Sequence, residues 1–387
     1  MMINEFTFGM KTEIRFGSGL IASAGETALA YGAKKVMLVA DKGVRSTGLA
    51  DQVKASLTAA GLPVVDYDRI VPNPRIGDCE EGARLAVSEG IDLLVAVGGG
   101  SSIDTAKAIA GMLGHGTTDF SVIRYPKPYE CEPYPLIVIP TTAGTGSEVT
   151  TCGVITDEAT HEKVYCYHPK CAPTVALCDP EVLMGLPTPI AASTAMDALT
   201  HAIEGYVNRI TSPLTEAFGL YAIPLLANNI RKYCYDRDLD ACEAIMLGSL
   251  MGGLAFGYSD TGSVHSLAET LGGLYDIPHG VANAIFLADV CEYSIPGNVV
   301  KYVKVAEALG VCAAGRTPYE TALKGVEEIR ALVSDIKIPK LSRLEKINPA
   351  EFEMVAERCV EHVSNVDNPR ILDRDDYLYL LIKAYGA

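Results

Sequence analysis

The chain has 387 residues, of which 49% are hydrophobic and 21% are charged, and it carries a formal net charge of −16. This composition excludes an intrinsically disordered protein, and the acidic balance argues against nucleic acid or an anionic membrane as a partner. The length exceeds what a single hydrophobic core usually serves and therefore predicts two domains.

The N-terminal residues and the cysteines bear on the cellular compartment. The segment MMINEFTFGMKTEIRF has neither the basic start nor the apolar core of a secretory signal, and no apolar run reaches the roughly 18 residues of a transmembrane helix. Eleven scattered cysteines without a CxxC pair favour reduced thiols over a disulfide framework. We therefore expect a cytoplasmic protein without a membrane partner.

The first half of the chain alternates short apolar runs with helical segments. The apolar runs, typical of buried strands, are KKVMLVAD (34–41), DLLVAVGGG (92–100) and PLIVIPTT (135–142). Between the first two, residues 51–61 and 79–90 have the periodicity of amphipathic helices, and the short run PVVDYD lies between these segments. This alternation predicts an α/β domain with a Rossmann-like parallel sheet that is covered by helices on both faces.

Asp41 ends the first of these strands. A carboxylate at that place can accept hydrogen bonds from both ribose hydroxyls and repels a 2′-phosphate, which favours NAD over NADP. In the usual dinucleotide fingerprint the acidic residue follows the glycines by about 20 residues. Here it precedes them, so that fingerprint does not apply, and the alternative interpretation is that Asp41 begins a turn.

Three glycines, residues 98–100, stand between the second strand and the helical segment SSIDTAKAIAGML. Glycine lets the backbone approach an anion closely, and the N–H groups at the start of the following helix favour phosphate. The pattern is neither GxGxxG nor a Walker motif, so a structural tight turn remains the alternative.

A second loop, PTTAGTGSEVT (140–150), follows the third strand and is rich in small and hydroxyl-bearing residues. Its hydroxyls are candidate donors to phosphate or ribose oxygens, and the candidates are Thr141, Thr142, Thr145 and Ser147. A polar turn is the alternative for this segment alone. Two such loops after neighbouring strands favour a nucleotide ligand.

The second half reads as helical throughout. The predicted helices are 191–207, 213–234, 239–257, 281–294, 299–309, 316–334 and 349–364, and two prolines in GLPTP (185–189) mark the change. We therefore predict an α/β domain over residues 1–184 that binds the dinucleotide and an all-α domain over residues 185–387, which also contains the candidate metal ligands and catalytic residues described next.

Histidines are few, and three of them lie in apolar, glycine-rich segments of this helical half. Asp197 and His201 are four residues apart, which places both side chains on one face of a helix. His265 lies in the segment GSVHSLAETLGGLYD, which also has the character of a helix, and His279 lies just before the helix predicted over 281–294. Taken singly, Asp197 and His201 could be an ordinary buried ion pair, and each histidine could be a core residue whose hydrogen bonds are made within the protein. Together, one carboxylate and three imidazoles make a complete ligand set for a divalent iron or zinc ion, which can polarise a substrate oxygen as a Lewis acid.

Four segments together resemble the iron-containing (group III) alcohol dehydrogenase family, over nearly the whole chain. They are GGGSSIDTAKAIA, PTTAGTGSEVT, DALTHAIEGYV and LGGLYDIPHGVANAIFL. The resemblance implies a Rossmann-like domain followed by a helical domain, NAD(H) and a divalent metal as cofactors, and a homodimer or larger homo-oligomer.

The resemblance also implies roles for individual residues. The implied metal ligands are Asp197, His201, His265 and His279. The implied cofactor contacts are Asp41, Asn73, Gly99, Gly100, Ser101, Thr141, Thr142, Thr145, Ser147 and Lys163, with Asp41 at the position that selects NAD and Asn73 and Lys163 on the cofactor side of the cleft.

The sequence departs from the family at one position. Many members carry a second histidine one turn after the metal-ligating one, near the nicotinamide, whereas this chain has Glu269 in HSLAE. Glu269 shares a helix face with His265. It is either a carboxylate that orients a ligand or relays a proton, or a plain partner within its own helix.

These observations predict an alcohol dehydrogenase and aldehyde reductase that uses NAD(H) and a metal, Fe²⁺ before Zn²⁺. The runs LAFGYSD (254–260) and GGLYD (272–276) favour a small, partly apolar pocket for short primary alcohols or diols and their aldehydes, such as propanediols or lactaldehyde. The alternatives are a metal- and NAD-dependent lyase of the dehydroquinate synthase type and an NAD-binding protein without activity. The lyase is disfavoured because its phosphorylated, acidic substrate would need several Lys or Arg residues, and the segments that flank the ligands offer almost none, Arg209 being the nearest.

Overall fold

The computed structural model describes residues 5–386, so residues 1–4 and Ala387, at the outer ends of the two predicted domains, lie outside the described residues. The described chain forms two compact units. An α/β unit comprises residues 9–143 and 147–186, and a helical unit comprises residues 5–8, 144–146 and 187–386. Residues 144–146, part of the hydroxyl-rich loop 140–150, thus belong to the helical unit.

The α/β unit contains eight strands and five helices. The strands are β1 (Glu13–Phe16), β2 (Val36–Val39), β3 (Val64–Tyr67), β4 (Leu93–Gly98), β5 (Leu136–Pro140), β6 (Cys152–Asp157), β7 (Glu162–Tyr167) and β8 (Val175–Cys178). The helices are α1 (Ala24–Ala30), α2 (Lys42–Ser46), α3 (Leu49–Ala59), α4 (Ile76–Glu89) and α5 (Gly100–Gly114).

Six of these strands form one parallel sheet in the order β1-β8-β5-β4-β2-β3. Every residue of β2, β4, β5 and β8 is buried, which explains why these strands read as continuous apolar runs rather than as alternating ones. β6 and β7 form a separate antiparallel hairpin that the sequence reading did not predict. The predicted α/β fold class with a parallel sheet is confirmed.

The sheet reverses its strand order between β2 and β4. From β2 the chain continues to β3 on one side, whereas from β4 it continues to β5 on the other side. In open α/β sheets such a reversal opens a crevice at the carboxyl ends of the strands, and ligands bind there. Asp41 follows β2, and the glycines 98–100 end β4 and begin α5. The two sequence features therefore meet at the point where this topology places a ligand.

The helical unit contains nine helices among the residues described. They are α6 (Thr188–Val207), α7 (Pro213–Tyr235), α8 (Leu239–Gly257), α9 (Ser263–Tyr275), α10 (His279–Ser294), α11 (Val299–Ala308), α12 (Pro318–Asp335), α13 (Phe352–Glu361) and α14 (Arg374–Gly386). No strand occurs between residues 187 and 386, so the predicted helical second half is confirmed.

One predicted helix, residues 349–364, is not continuous in the structure. The segment predicted as one helix over 349–364 is α13 flanked by short 3-10 turns, because Pro349 starts a separate turn and His362 adopts extended backbone angles.

Helix α8 is long and apolar enough to cross a membrane, but 61% of its 18-residue window is buried inside the structure. Such a helix is also what the core of a helical domain requires.

Helix α6 forms the centre of the helical unit. It packs against α7, α8 and α10, and nearly all of its residues from Ala191 to Val207 are buried. Because these neighbours surround α6, its polar side chains are buried together with its apolar ones. Asp197, His201 and Glu204 therefore need polar partners inside the protein.

Candidate metal centre and cofactor loops

Three helices bring four ligand-type side chains to one place. Helix α6 supplies Asp197 and His201, α9 supplies His265, and α10 supplies His279. One donor atom from each residue lies within 4.8 Å of all the others. Three of the side chains are buried, and that of His279 is partly exposed.

The hydrogen bonds of two histidines fix the nitrogen that each presents to this cluster. His265 Nδ1 lies 2.5 Å from Glu204 Oε2, and His201 Nδ1 lies 3.0 Å from the Gly144 carbonyl. A carboxylate and a carbonyl only accept hydrogen bonds, so both Nδ1 atoms carry hydrogen. In the neutral rings the Nε2 atoms are then bare lone pairs, and they lie 2.9 Å apart. Two lone pairs this close repel each other unless a cation or a proton lies between them, so the donor set fits a bound metal ion.

The charge states of Asp197 and His201 suit metal binding, whereas a metal ion at His265 would displace a ring proton. Burial by itself would raise the pKa of Asp197, but the nearby histidines hold it below its usual range. Burial lowers the pKa of His201 to about 3. For His265, burial acts downward, but the charge and hydrogen bond of Glu204 outweigh it and raise the pKa. Asp197 is therefore an anion and His201 a neutral imidazole near pH 7, the forms that bind metals.

Asn283, on α10 one turn after His279, was missed by the sequence reading. Its Nδ2 atom lies 2.6 Å from Asp197 Oδ1 and 3.1 Å from His279 Nε2, which identifies both atoms as hydrogen-bond acceptors. Its Oδ1 atom is buried and has no hydrogen-bond partner among the described residues. The four-residue spacing from His279 is the sequence signal that could have indicated it.

An aromatic ring covers one side of the cluster. The Phe256 ring stacks on the His201 imidazole with their centroids 4.0 Å apart and an angle of 16° between the planes. This contact fixes the plane of the imidazole and places an apolar surface beside the ligands.

Glu269 lies one turn after His265 on α9. Its carboxylate accepts a hydrogen bond of 3.1 Å from Nε2 of His362, which follows α13. Burial opposes ionisation of this carboxyl, but the hydrogen bond and charge of His362 hold its pKa well below the usual range. The carboxylate that bonds to Nδ1 of His265 is Glu204, so Glu269 does not occupy the place of that orienting group.

Neighbouring side chains approach the backbone of the glycine loop so closely that residues with a Cβ do not fit at two of its positions. Gly98 has a φ of +157°, and a Cβ on it would lie 2.3 Å from Ser102 Oγ. A Cβ on Gly99 would lie 2.8 Å from Thr142 Oγ1. Helix α5 begins at Gly100 without a capping side chain, and Ser101 lies in its first turn. The N–H groups of that turn are therefore candidates for binding an anion.

Asp41 lies beside this loop and also starts a helix. Its Oδ1 atom accepts a hydrogen bond from the Val44 N–H at 3.1 Å, which caps α2. Its Oδ2 atom accepts one from the Ser102 hydroxyl at 3.1 Å. Both interpretations of Asp41 therefore describe it: the residue begins a helical turn, and it places a carboxylate next to the glycines.

The residues of the second loop have separate surroundings. The Thr141 N–H donates to the Gly98 carbonyl at 3.0 Å, and the Thr142 side chain faces Gly99. The Ser147 hydroxyl donates to Asp104 on α5 at 2.5 Å. Thr145 belongs to the short piece 144–146 that groups with the helical unit. The backbone of Thr141 and the side chain of Thr142 thus contact the glycine loop.

Asn73 and Lys163 form a pair elsewhere in the α/β unit. The Lys163 ammonium donates to Asn73 Oδ1 at 2.8 Å and to Thr156 Oγ1 at 3.0 Å. Asn73 has a φ of 57°, a left-handed conformation that asparagine tolerates better than most residues. The hairpin strands β6 and β7 carry Thr156 and Lys163, so the hairpin holds this pair in place.

Glu148, next to Ser147, is buried, and burial raises its pKa to about 7 from an ordinary value of 4.5. The unfolded chain therefore releases this proton at a lower pH than the folded chain does. Between about pH 4.5 and 7 the free energy of unfolding should fall as pH rises, and the penalty should stay constant above that range.

We expect Glu148→Gln to remove this component. Relative to wild type, the free energy of unfolding of the variant should rise by about 3 kcal/mol between pH 4.5 and pH 8, as measured by urea unfolding at both pH values. Glu162→Gln, at an exposed position, serves as the control and should leave the difference constant. An unchanged difference for Glu148→Gln would show that this carboxyl is not the source of the pH dependence.

Comparisons with known proteins agree with this site. Residues 11–180 match the family described as iron-containing alcohol dehydrogenase, and residues 191–385 match the description Fe-containing alcohol dehydrogenase family, C-terminal. The chain is 36% identical to a choline dehydrogenase of Bacillus subtilis (strain 168) over 98% of this chain and 95% of that protein. It is also 36% identical to a lactaldehyde reductase of Escherichia coli (strain K12) over 100% of this chain and 99% of that protein.

A solved structure shares the fold. A 1,3-propanediol oxidoreductase superposes with a TM-score of 0.94 at 34% identity, covering 98% of this chain and 100% of that chain. The family matches extend over both units, and the identity to the two relatives extends over nearly the full length of each. The chain therefore belongs to the iron-containing alcohol dehydrogenase family.

Proposed function

We propose that the chain is a metal-dependent, NAD(H)-linked alcohol dehydrogenase and aldehyde reductase that acts on short primary alcohols or diols. The observation that carries the proposal is the pair of Nε2 lone pairs of His201 and His265, 2.9 Å apart, in a cluster completed by Asp197 and His279. A cation bound by both nitrogens would relieve the repulsion between their lone pairs and would satisfy the buried carboxylate of Asp197 as well.

The residues proposed to hold the metal are Asp197, His201, His265 and His279. Iron is the first candidate because of the family, and zinc accepts the same ligands. When bound, the metal supplies Lewis-acid polarisation of an alcohol or aldehyde oxygen, and NAD(H) supplies or accepts the hydride. The protein fixes the ligand geometry: Glu204 and Gly144 set the imidazole tautomers, and Phe256 excludes water from one face of His201.

For the cofactor, we propose that residues 1–184 bind NAD(H) and that residues 185–387 carry the metal and the reaction. The proposed cofactor contacts are Asp41, Asn73, Gly99, Gly100, Ser101, Thr141, Thr142, Thr145, Ser147 and Lys163. The location of Asp41 and the glycine loop at the reversal of strand order supports this assignment. Glu269, whose carboxylate accepts a hydrogen bond from His362, is proposed as a carboxylate near the metal, with a proton relay or a plain partner within α9 as its two possible roles.

The substrate class follows from the chemistry of the site and from relatives. The names of the two relatives and of the solved structure refer to choline, lactaldehyde and 1,3-propanediol, which are small molecules that carry an alcohol or an aldehyde group. We propose that a short alcohol or aldehyde is the substrate here, without nucleic acid or membrane as a partner. We also propose a soluble, cytoplasmic protein that forms a homodimer or a larger homo-oligomer.

The lyase alternative is not favoured. The matched family and the relatives named above are dehydrogenases or reductases. A phosphorylated, acidic substrate would also need several cations near the ligands. Arg209, the nearest one in the sequence, instead donates hydrogen bonds to the backbone carbonyl oxygens of Val366 and Asp367.

The proposal is tested by metal-dependent turnover. The metal-stripped protein is incubated with Fe²⁺ or Zn²⁺, and NADH oxidation is followed with a panel of short aldehydes that includes lactaldehyde and 3-hydroxypropionaldehyde. We expect oxidation only after metal is restored. NADH binding without oxidation, whatever the metal and aldehyde, would contradict the proposed activity.

A further inference from the structure

Glu204 is a buried carboxylate that belongs to neither the ligand set nor the cofactor loops. It lies on α6, one turn after His201, and its side chain is 4% exposed. A carboxylate buried among apolar helices is unfavourable unless other groups donate hydrogen bonds to both of its oxygens. The contacts of Glu204 therefore indicate what it does.

Each oxygen of Glu204 accepts one hydrogen bond from the start of α9. Oε1 accepts from the Val264 backbone N–H at 2.8 Å, and Oε2 accepts from His265 Nδ1 at 2.5 Å. The first bond satisfies an N–H group in the first turn of α9, which has no intrahelical acceptor. The second bond holds the imidazole on that turn.

We propose that Glu204 is a positioning residue that presents Nε2 of His265 to the metal. This inference rests on the metal-dependent function proposed above. In the neutral ring the carboxylate keeps the single hydrogen on Nδ1, which leaves Nε2 as a lone pair, and it fixes the direction of the ring because the same side chain is anchored to the Val264 N–H. A metal-ligating histidine generally donates its other N–H group to such an acceptor, and the acceptor sets the tautomer and orientation.

The carboxylate of Glu204 lies close to the backbone of Gly262. A Cβ on Gly262, which precedes α9, would lie 2.8 Å from Glu204 Oε1. Glycine at this position thus lets the carboxylate reach the first turn of α9. Glu204 thus links α6 to α9 by hydrogen bonds beside the four candidate ligands. It lies on the same face of α6 as His201 and Asp197.

Glutamine at position 204 has the same size but the wrong hydrogen-bonding pattern. It has one acceptor and one donor group, whereas Val264 N–H and His265 Nδ1 both require an acceptor. If the amide oxygen faces Val264, the amide NH₂ faces Nδ1 and drives the imidazole hydrogen to Nε2, where it blocks metal binding. If the amide is reversed, an N–H group of the helix start loses its acceptor.

The test is the metal affinity of Glu204→Gln. The apo protein is titrated with Zn²⁺ and, separately, with Co²⁺ in competition with a chromophoric chelator, and the visible Co²⁺ spectrum is recorded. We expect affinity 10- to 100-fold weaker than wild type and a changed Co²⁺ spectrum, with NADH affinity unchanged. Affinity within twofold of wild type would overturn the proposal.

Two further variants separate positioning from a general structural role. In the His265→Gln background, adding Glu204→Gln should leave metal affinity unchanged, because the ring to be positioned is absent. A further loss of the same size would overturn the proposal. Glu292→Gln, an equal loss of charge near the far end of α10, should keep wild-type affinity.

Glu204→Asp decides the question if Glu204→Gln does not fold. The shorter carboxylate cannot reach both donors of α9, so metal affinity should fall at least threefold, and wild-type affinity would contradict the proposal. Wild-type protein that binds metal without turning over any aldehyde would instead count against the proposed function and leave the Glu204 assignment to be judged by affinity alone.

Discussion

We expect His265→Ala to reduce kcat/KM for aldehyde reduction by roughly 1000-fold and to leave NADH affinity within threefold of wild type. His265 is 2% exposed and supplies one of the four donor atoms that lie within 4.8 Å of one another. Lewis-acid polarisation contributes several kcal/mol to such a reaction, and each 1.36 kcal/mol is a tenfold change in rate. The measurements are steady-state kinetics, metal content after dialysis and NADH fluorescence titration.

His161→Asn is the matched control for this prediction. His161 is an exposed histidine in the β6–β7 hairpin with a φ of 58°, which asparagine tolerates. Its replacement also removes one imidazole but should leave metal content and kcat/KM unchanged. A His265→Ala protein that retains both metal and turnover would contradict the assignment of His265 as a ligand.

The ligand cluster illustrates what spacing on a helix can predict. Asp197 and His201 are four residues apart in a segment that forms a helix, so their common face follows from the period of 3.6 residues. His265 and His279 lie on different helices, and nothing in their spacing places them against α6. The four residues were grouped in the sequence by their ligand chemistry and by the resemblance to a family, and α10, which packs against both α6 and α9, brings them together in the structure.

The partners of the ligands were harder to predict. Glu204 lies seven residues after Asp197 in the segment DALTHAIEGYV, so its position on the same face was visible in the sequence. Its role was not visible, because that role depends on a hydrogen bond from the backbone N–H of Val264. Almost any residue at position 264 would supply the same N–H group. The Gly144 carbonyl that bonds His201 gives no sequence signal at all, since every residue has a carbonyl.

Strand prediction failed for segments whose surroundings differ from those of a central strand. β8 is a buried run of four residues, as short as β2, but it lies between Pro173 and Pro180, and such flanking prolines are typical of loops. β1 lies at the edge of the sheet and is only partly buried, so it lacks the continuous apolar pattern of β2 and β4. Flanking prolines and edge position, rather than propensity, explain the two omissions.

The order of Asp41 and the glycines in the sequence also has a structural explanation. The chain forms β2, then β3, and only then returns to place β4 on the other side of β2. Asp41 and the glycine loop are therefore neighbours in space although Asp41 comes first, and the Ser102 hydroxyl joins them. A linear fingerprint cannot represent this arrangement, because adjacency of β2 and β4 is a property of the sheet.

This arrangement predicts a change of cofactor preference in Asp41→Asn. The carboxylate at the end of β2 should repel the 2′-phosphate of NADPH, and like charges about 4 Å apart near a protein surface cost several kcal/mol. Asparagine keeps an oxygen for the Val44 N–H and an amide for the Ser102 oxygen, so both hydrogen bonds and the start of α2 are retained. We expect the ratio of kcat/KM for NADPH to that for NADH to rise roughly 100-fold.

The measurement is steady-state kinetics with each cofactor at a fixed aldehyde concentration, together with thermal unfolding to confirm that α2 is intact. Glu89→Gln is the matched control: Glu89 ends α4, before β4 begins, and so lies at the opposite edge of the sheet from Asp41. It removes the same charge from the same unit and should leave the ratio unchanged. An equal rise in both variants would assign the effect to net charge, and no rise in Asp41→Asn would show that this carboxylate does not face the 2′-position of the ribose.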